Sequence, residues 1–138
     1  MTKDVLITVS GMQFDMGDDV IELVVPGTYY MKNGKHYVFY EEQAAAGESV
    51  TKNSVKFYDG HFEMTKKGAY TSLLMFDRDQ KTSTIYETIA GPLQIDSLTK
   101  ELTIEETQQE ITVHVKYALD INYNYVSDCH VIFKVQAR

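Results

Sequence analysis

Apolar and polar residues alternate with a period of two along most of this chain, and nowhere do apolar residues recur at helical spacing over three turns. The clearest signal is GTYYMKNGKHYVFYEE, Gly27 to Glu42, where two aromatic-rich runs flank Asn33-Gly34. Asn-Gly between such runs predicts a hairpin with a two-residue type I′ turn, whose central positions both need φ > 0. That turn sets Tyr30 opposite Tyr37, Tyr29 opposite Val38 and Met31 opposite His36. One face then carries Tyr29, Met31, His36, Val38 and Tyr40, and the other carries Tyr30, Tyr37 and Phe39. A half-solvated hairpin has one polar face, so two aromatic faces call for cover on both sides.

A second hairpin is predicted around Asp59-Gly60, again a type I′ pair, with Val55, Phe57, Phe62 and Met64 on one face. Ile111 to Ile121 is the cleanest strand, with Ile111, Val113, Val115, Tyr117, Leu119 and Ile121 directed to the core. The last strand alternates Cys129, Val131, Phe133 and Val135 with polar residues, and the first does so from Val5 to Gln13. Other segments are less regular. Leu93, Ile95, Leu102 and Ile104 form two short alternations interrupted at Ser97 to Glu101. Pro26 lacks a ladder donor and predicts an edge, a bulge or a break. Without a bulge, odd positions from Ile21 through Met31 face inward; with one, the faces of the first hairpin exchange. The stretch from 43 to 53, QAAAGESVTKN, has no strand pattern and is predicted to be a connection or lid, with a helical turn open to its three alanines.

Nine or ten strands joined mostly by short turns predict an all-β domain spanning 1–138, either a sandwich or a single antiparallel up-and-down β-barrel, whose closure removes exposed edges. Length and a hydrophobic content of 43% suffice for one core without metal or disulfide, and the single Cys129 excludes an internal bridge. The start MTKDVLITV has neither the apolar run nor the cleavage site of a secretory signal, which predicts a cytoplasmic protein. No run approaches the roughly 20 apolar residues of a membrane-spanning helix. A formal charge of -7 opposes phosphate backbones and anionic lipid, so neither nucleic acid nor a membrane is expected as a partner.

The combination GTYYMKNGKHYVFYEE, TKKG, YETIAG followed by LQI, and VKYALDIN resembles the YwiB-like family of bacterial proteins, and the resemblance extends over most of the chain. It rests on Tyr37, Tyr40, Glu41, Glu42, Gly68, Tyr86, Thr88, Gly91, Tyr117 and Leu119. It implies a calycin-type, lipocalin-like β-barrel of about eight to ten strands, and no established function. Ile89 stands where family members often have a proline after the Tyr-x-Thr of the middle motif. The Gly-x-Trp signature of true lipocalins has no counterpart in a chain without Trp, so their ligand chemistry does not transfer.

Catalytic chemistry finds little support. His36, His61, His114 and His130 lie on four predicted strands without metal-ligand spacing, so no metal or cofactor is expected. Cys129 sits in an apolar alternation that favours a buried, inert thiol. Adjacent carboxylates at Asp18-Asp19, Glu41-Glu42 and Glu105-Glu106 diverge on a strand. Only Glu42 continues the inward pattern of Val38 and Tyr40, where a hydrogen bond or cation must compensate its burial. These features predict a non-enzymatic binder of a small apolar or amphipathic molecule, with Tyr29, Tyr40, Glu42 and Tyr117 lining the barrel interior. The alternative is a filled barrel acting as an interaction module or homodimer through an outer patch of Tyr30, Tyr37 and Phe39.

Overall fold

The structure, a computed structural model, describes residues 3–11, 22–43, 50–68 and 71–138. Ten strands are found among them: β1 (Asp4–Ser10), β2 (Glu22–Lys32), β3 (Lys35–Gln43), β4 (Val50–Tyr58), β5 (His61–Lys67), β6 (Thr71–Asp77), β7 (Lys81–Thr88), β8 (Gly91–Glu106), β9 (Glu110–Ile121) and β10 (Asn124–Ala137). All pairings are antiparallel, in the order β6-β5-β4-β3-β2-β1-β10-β9-β8-β7. Sequence neighbours pair throughout except β6 and β7, and β1 joins β10, which makes the predicted up-and-down barrel, nearly closed. The sandwich is excluded.

Closure falls between β6 and β7, which are adjacent but share no ladder. The turn between them is instead laid across β8. Asp79 N donates to Thr99 O at 3.0 Å and Thr99 N to Gln80 O at 3.0 Å. Arg78 sends Nε and Nη2 to Leu102 O at 3.2 and 2.7 Å, and its Nη2 also meets Asp59 Oδ1 at 3.0 Å. Thr82 Oγ1 donates to Met75 O. β8 accommodates this with a register shift between Thr99 and Glu101, after which its inward residues change from odd (Ile95, Ser97, Thr99) to even (Leu102, Ile104). The two short alternations of the sequence are thus one long strand with a bulge, and the extra residue explains why the pattern broke there.

The first hairpin has the predicted register, with Asn33 at φ 54° and Gly34 at φ 75°. At Asp59-Gly60 the pairing is as predicted, but only Gly60 has positive φ (77°), so the turn is not type I′. Arg78 holds both of its residues, through the Asp59 carboxylate and by donating its own N–H to Gly60 O. Pro26 causes no register shift: it faces Leu6 of β1, and the β2–β3 ladder begins only at Gly27–Tyr40. The half of β2 that holds Pro26 is therefore a local edge, where a missing donor is tolerated. Gly27 is required for packing, since a Cβ there would lie 2.5 Å from Ile7 Cδ1 and 2.6 Å from Phe39 O. Of the 43–53 stretch, Val50 to Asn53 belong to β4, while the connection or lid and its alanines lie outside the described residues.

Register arranges the interior of β3 to β6 in rows. His36, Phe57, Phe62 and Phe76 face one another across the four strands; Val38, Val55, Met64 and Leu74 form the next row, and Tyr40, Asn53, Lys66 and Ser72 the third. The first row is a run of rings with centroids 4.7 to 6.2 Å apart, met edge-on by Phe133 and at 4.5 Å by Tyr117. It fills its end of the barrel. The inward residues of β9 behave as predicted: Ile111, Val113, Val115, Tyr117 and Leu119 are buried, and Ile121 packs against them at the strand end. Val115 has no exposed surface, so Val115→Asp buries an unpaired charge and is expected to cost several kcal/mol, about 3 or more. Urea denaturation of the variant checks this, and an unchanged midpoint would contradict the packing described.

Candidate functional site: a polar-rimmed cavity at one end of the barrel

Beyond the aromatic row the interior is not filled. A cavity of about 260 Å³ lies between Val9 and Leu23 on one side and Met64, Leu74, Thr84, Tyr86 and Ile95 on the other. Its position follows from the rows. Met64 and Leu74 come from the second row, while Tyr40, Lys66 and Ser72 from the third put hydroxyl and ammonium groups at its mouth. Glu42, one step further along the inner face of β3, completes the rim.

Glu42 Oε1 accepts a hydrogen bond from Lys66 Nζ at 2.9 Å and another from Asn53 Nδ2 at 3.0 Å. The compensation that an inward carboxylate requires is therefore supplied by two residues whose importance the strand pattern did not reveal. A register drawn across both hairpins would have found them, because Asn53 sits directly between Tyr40 and Lys66. Asn53 is 2% exposed, and its Oδ1 has no hydrogen-bond partner among the described residues. Tyr40 donates weakly to Met64 Sδ at 3.7 Å. Burial, with a contribution from Glu42, pushes the Tyr40 pKa well up, so the group is a neutral phenol.

Of the four side chains expected to line the interior, the cavity brings together Tyr40 and Glu42. Tyr29 is buried at the opposite end, where its hydroxyl meets His36 Nδ1 at 2.8 Å. Tyr117 packs on Phe76 within the filled part, which keeps it from the hollow. Its hydroxyl is buried beside the Cys129 thiol, without a hydrogen bond of ordinary geometry from any described residue, and burial drives its pKa far up. Cys129 itself is half-buried, with Ser127 Oγ at 3.3 Å from Sγ.

Tyr30, Tyr37 and Phe39 project outward, as the bulge-free register requires. Tyr30 stacks on Tyr37 at 4.9 Å and on Phe39 at 5.7 Å, with Tyr30 47% and Phe39 38% exposed. Met31, expected inward, reaches past the barrel end and is exposed, because β2 outruns the interior there. The histidines fall in three places. His61 is bonded to Asp77 at 2.5 Å, and His114 Nδ1 lies 3.2 Å from His130 Nε2 across β9 and β10, a proximity the sequence did not disclose. No group of three metal-ligating side chains occurs among the described residues. Asp96 was also missed: it is 2% exposed, and a 2.5 Å bond from Ser83, with Gln94 and Lys81 nearby, holds its carboxyl below the usual carboxylate range against its burial.

With this geometry in view, the relatives are informative. Residues 7–132 match the model of the domain of unknown function DUF1934. The chain belongs to the DUF1934 family. It is 25% identical over 112 residues to the uncharacterized beta-barrel protein YwiB of Bacillus subtilis, covering 81% of this chain and 78% of that protein. The crystal structure of the Bacillus subtilis ywiB protein superimposes with a TM-score of 0.74 at 20% identity, covering 98% of this chain and 90% of the other. That likeness establishes the barrel for this DUF1934 member and leaves its role to be argued from the site.

At the end opposite the cavity, His36 is buried against Phe57, and burial lowers its pKa from the ordinary 6.5, outweighing Glu106 at 3.9 Å. The unfolded chain takes up this proton near pH 6.5 and the native state only at lower pH. Stability therefore falls as pH drops below about 6.5, and recovers as pH rises through it. His36→Gln is expected to lose less stability than the wild type between pH 7 and pH 5, as measured by urea melts at both values. His130, whose pKa burial also lowers, leaves a residual slope of the same sign.

Proposed function

We propose that this protein binds a small apolar or amphipathic molecule in the end cavity, without chemical conversion. The observation that carries the reading is the change from a filled to a hollow interior within one set of rows. The aromatic row is packed ring on ring, whereas next to the third row about 260 Å³ stays open between apolar walls and a polar rim. Ligand sites are typically lined this way, and volumes of drug-sized sites start near 300 Å³, so the guest is smaller than that class. Glu42, held by Lys66 and Asn53, suits a fixed rim group that orients a guest. Native mass spectrometry of protein purified from its own host is expected to show a retained small molecule. Leu74→Trp, which places an indole in the cavity, is expected to abolish that adduct while the protein stays folded. An empty wild type, or an adduct that survives Leu74→Trp, would remove the reading.

A second reading rests on the outward stack of Tyr30, Tyr37 and Phe39. Three neighbouring aromatics with this exposure resemble the anchors in which interfaces concentrate their energy. In that reading two copies meet through the patch across a two-fold axis. Light scattering is expected to give a dimer for the wild type and a monomer for Tyr37→Ser combined with Phe39→Ser; a monomeric wild type ends it.

A further inference from the structure

We infer that the head group recognised at the cavity rim is neutral and carries a hydrogen-bond acceptor, as a primary amide does. The inference rests on the binding reading above and adds the chemical class of the guest.

The rim already contains a matched ion pair. Lys66 and Glu42 are both about three-quarters buried and bonded at 2.9 Å, so their charges cancel where water is scarce. A carboxylate guest that accepts a spare N–H of Lys66 sets a second anion beside Glu42, and an ammonium guest sets a second cation beside Lys66. Either adds an uncompensated charge to a partly buried pair that is already neutral, the costly case in such surroundings. A neutral head leaves the pair intact.

Asn53 does not line the cavity; it spends its Nδ2 on Glu42 and so helps to hold the rim carboxylate in place. The Lys66 ammonium has three N–H donors, of which one goes to Glu42, so it offers a donor to a guest carbonyl or hydroxyl oxygen. Tyr40, a neutral phenol directed to Met64 Sδ, adds no charge. The volume limits the body: about 260 Å³ lies just below the range of drug-sized sites, which restricts the guest to a short chain.

Heptanamide, heptanoate and heptylammonium share a chain and differ in the head, and their binding is measured by calorimetry at neutral pH. Heptanamide is expected to bind the wild type at least about tenfold more tightly than either ion. Glu42→Gln, which leaves Lys66 as the uncancelled charge, is expected to turn the preference to heptanoate. Lys66→Met, which leaves Glu42, is expected to turn it to heptylammonium. A reversal of selectivity cannot come from loss of folding. Wild-type protein that binds heptanoate or heptylammonium as tightly as heptanamide, with binding lost in Leu74→Trp, overturns the neutral-head assignment and leaves the cavity reading standing. Binding of none of the three, or binding indifferent to Leu74→Trp, overturns both.

Discussion

A ten-stranded sheet has two edges, each with a row of backbone donors and acceptors that must find partners or water. In this barrel the edges are β6 and β7, and they are brought together by something other than a ladder. Arg78 carries the join: one guanidinium binds the β8 backbone at Leu102 and the β4–β5 turn at Asp59, while the residues after it bond to Thr99. The bulge in β8 presents Thr99 and Leu102 together for this purpose. Curvature follows from the join, and from curvature follow the rows of side chains that converge inside.

Those rows explain how one barrel is both packed and hollow. His36, Phe57, Phe62 and Phe76 are wide rings and meet Phe133 and Tyr117 across the interior. Tyr40, Lys66 and Ser72 border open space instead, and Asn53 and Lys66 spend bonding capacity on Glu42. The choice between a cavity and a filled core, posed by the sequence as exclusive, is resolved along the barrel axis.

Period-two alternation and two Gly-containing turns made the strands and the barrel legible, and the register of the first hairpin was legible to the residue. Boundaries failed where a single residue broke the period: Lys100 at the bulge split β8 into two apparent strands, and Pro26 looked like a break because its local edge depends on how far β3 reaches. The site was half legible. Inward alternation finds Tyr40 and Glu42, but it also finds Tyr29 and Tyr117, which share their face and lie at other heights. Height along the axis depends on the stagger between distant strands, which alternation does not encode. Asn53 and Lys66 were hidden because polar residues at inward positions read as breaks in the pattern.

β1 is first in the chain yet central in the sheet, with β2 on one side and β10 on the other. The remaining strands form two local meanders, β2 to β6 and β7 to β10, whose contacts join near neighbours in sequence. The β1–β10 ladder, from Val5–Ala137 to Ser10–Ile132, closes a loop of nearly the whole chain. Loop-closure entropy must be met before that ladder is repaid, and contacts of such high sequence separation slow folding. The order of assembly is thus written into the topology: two ribbons that form quickly, and a slow step in which one strand welds them into a barrel.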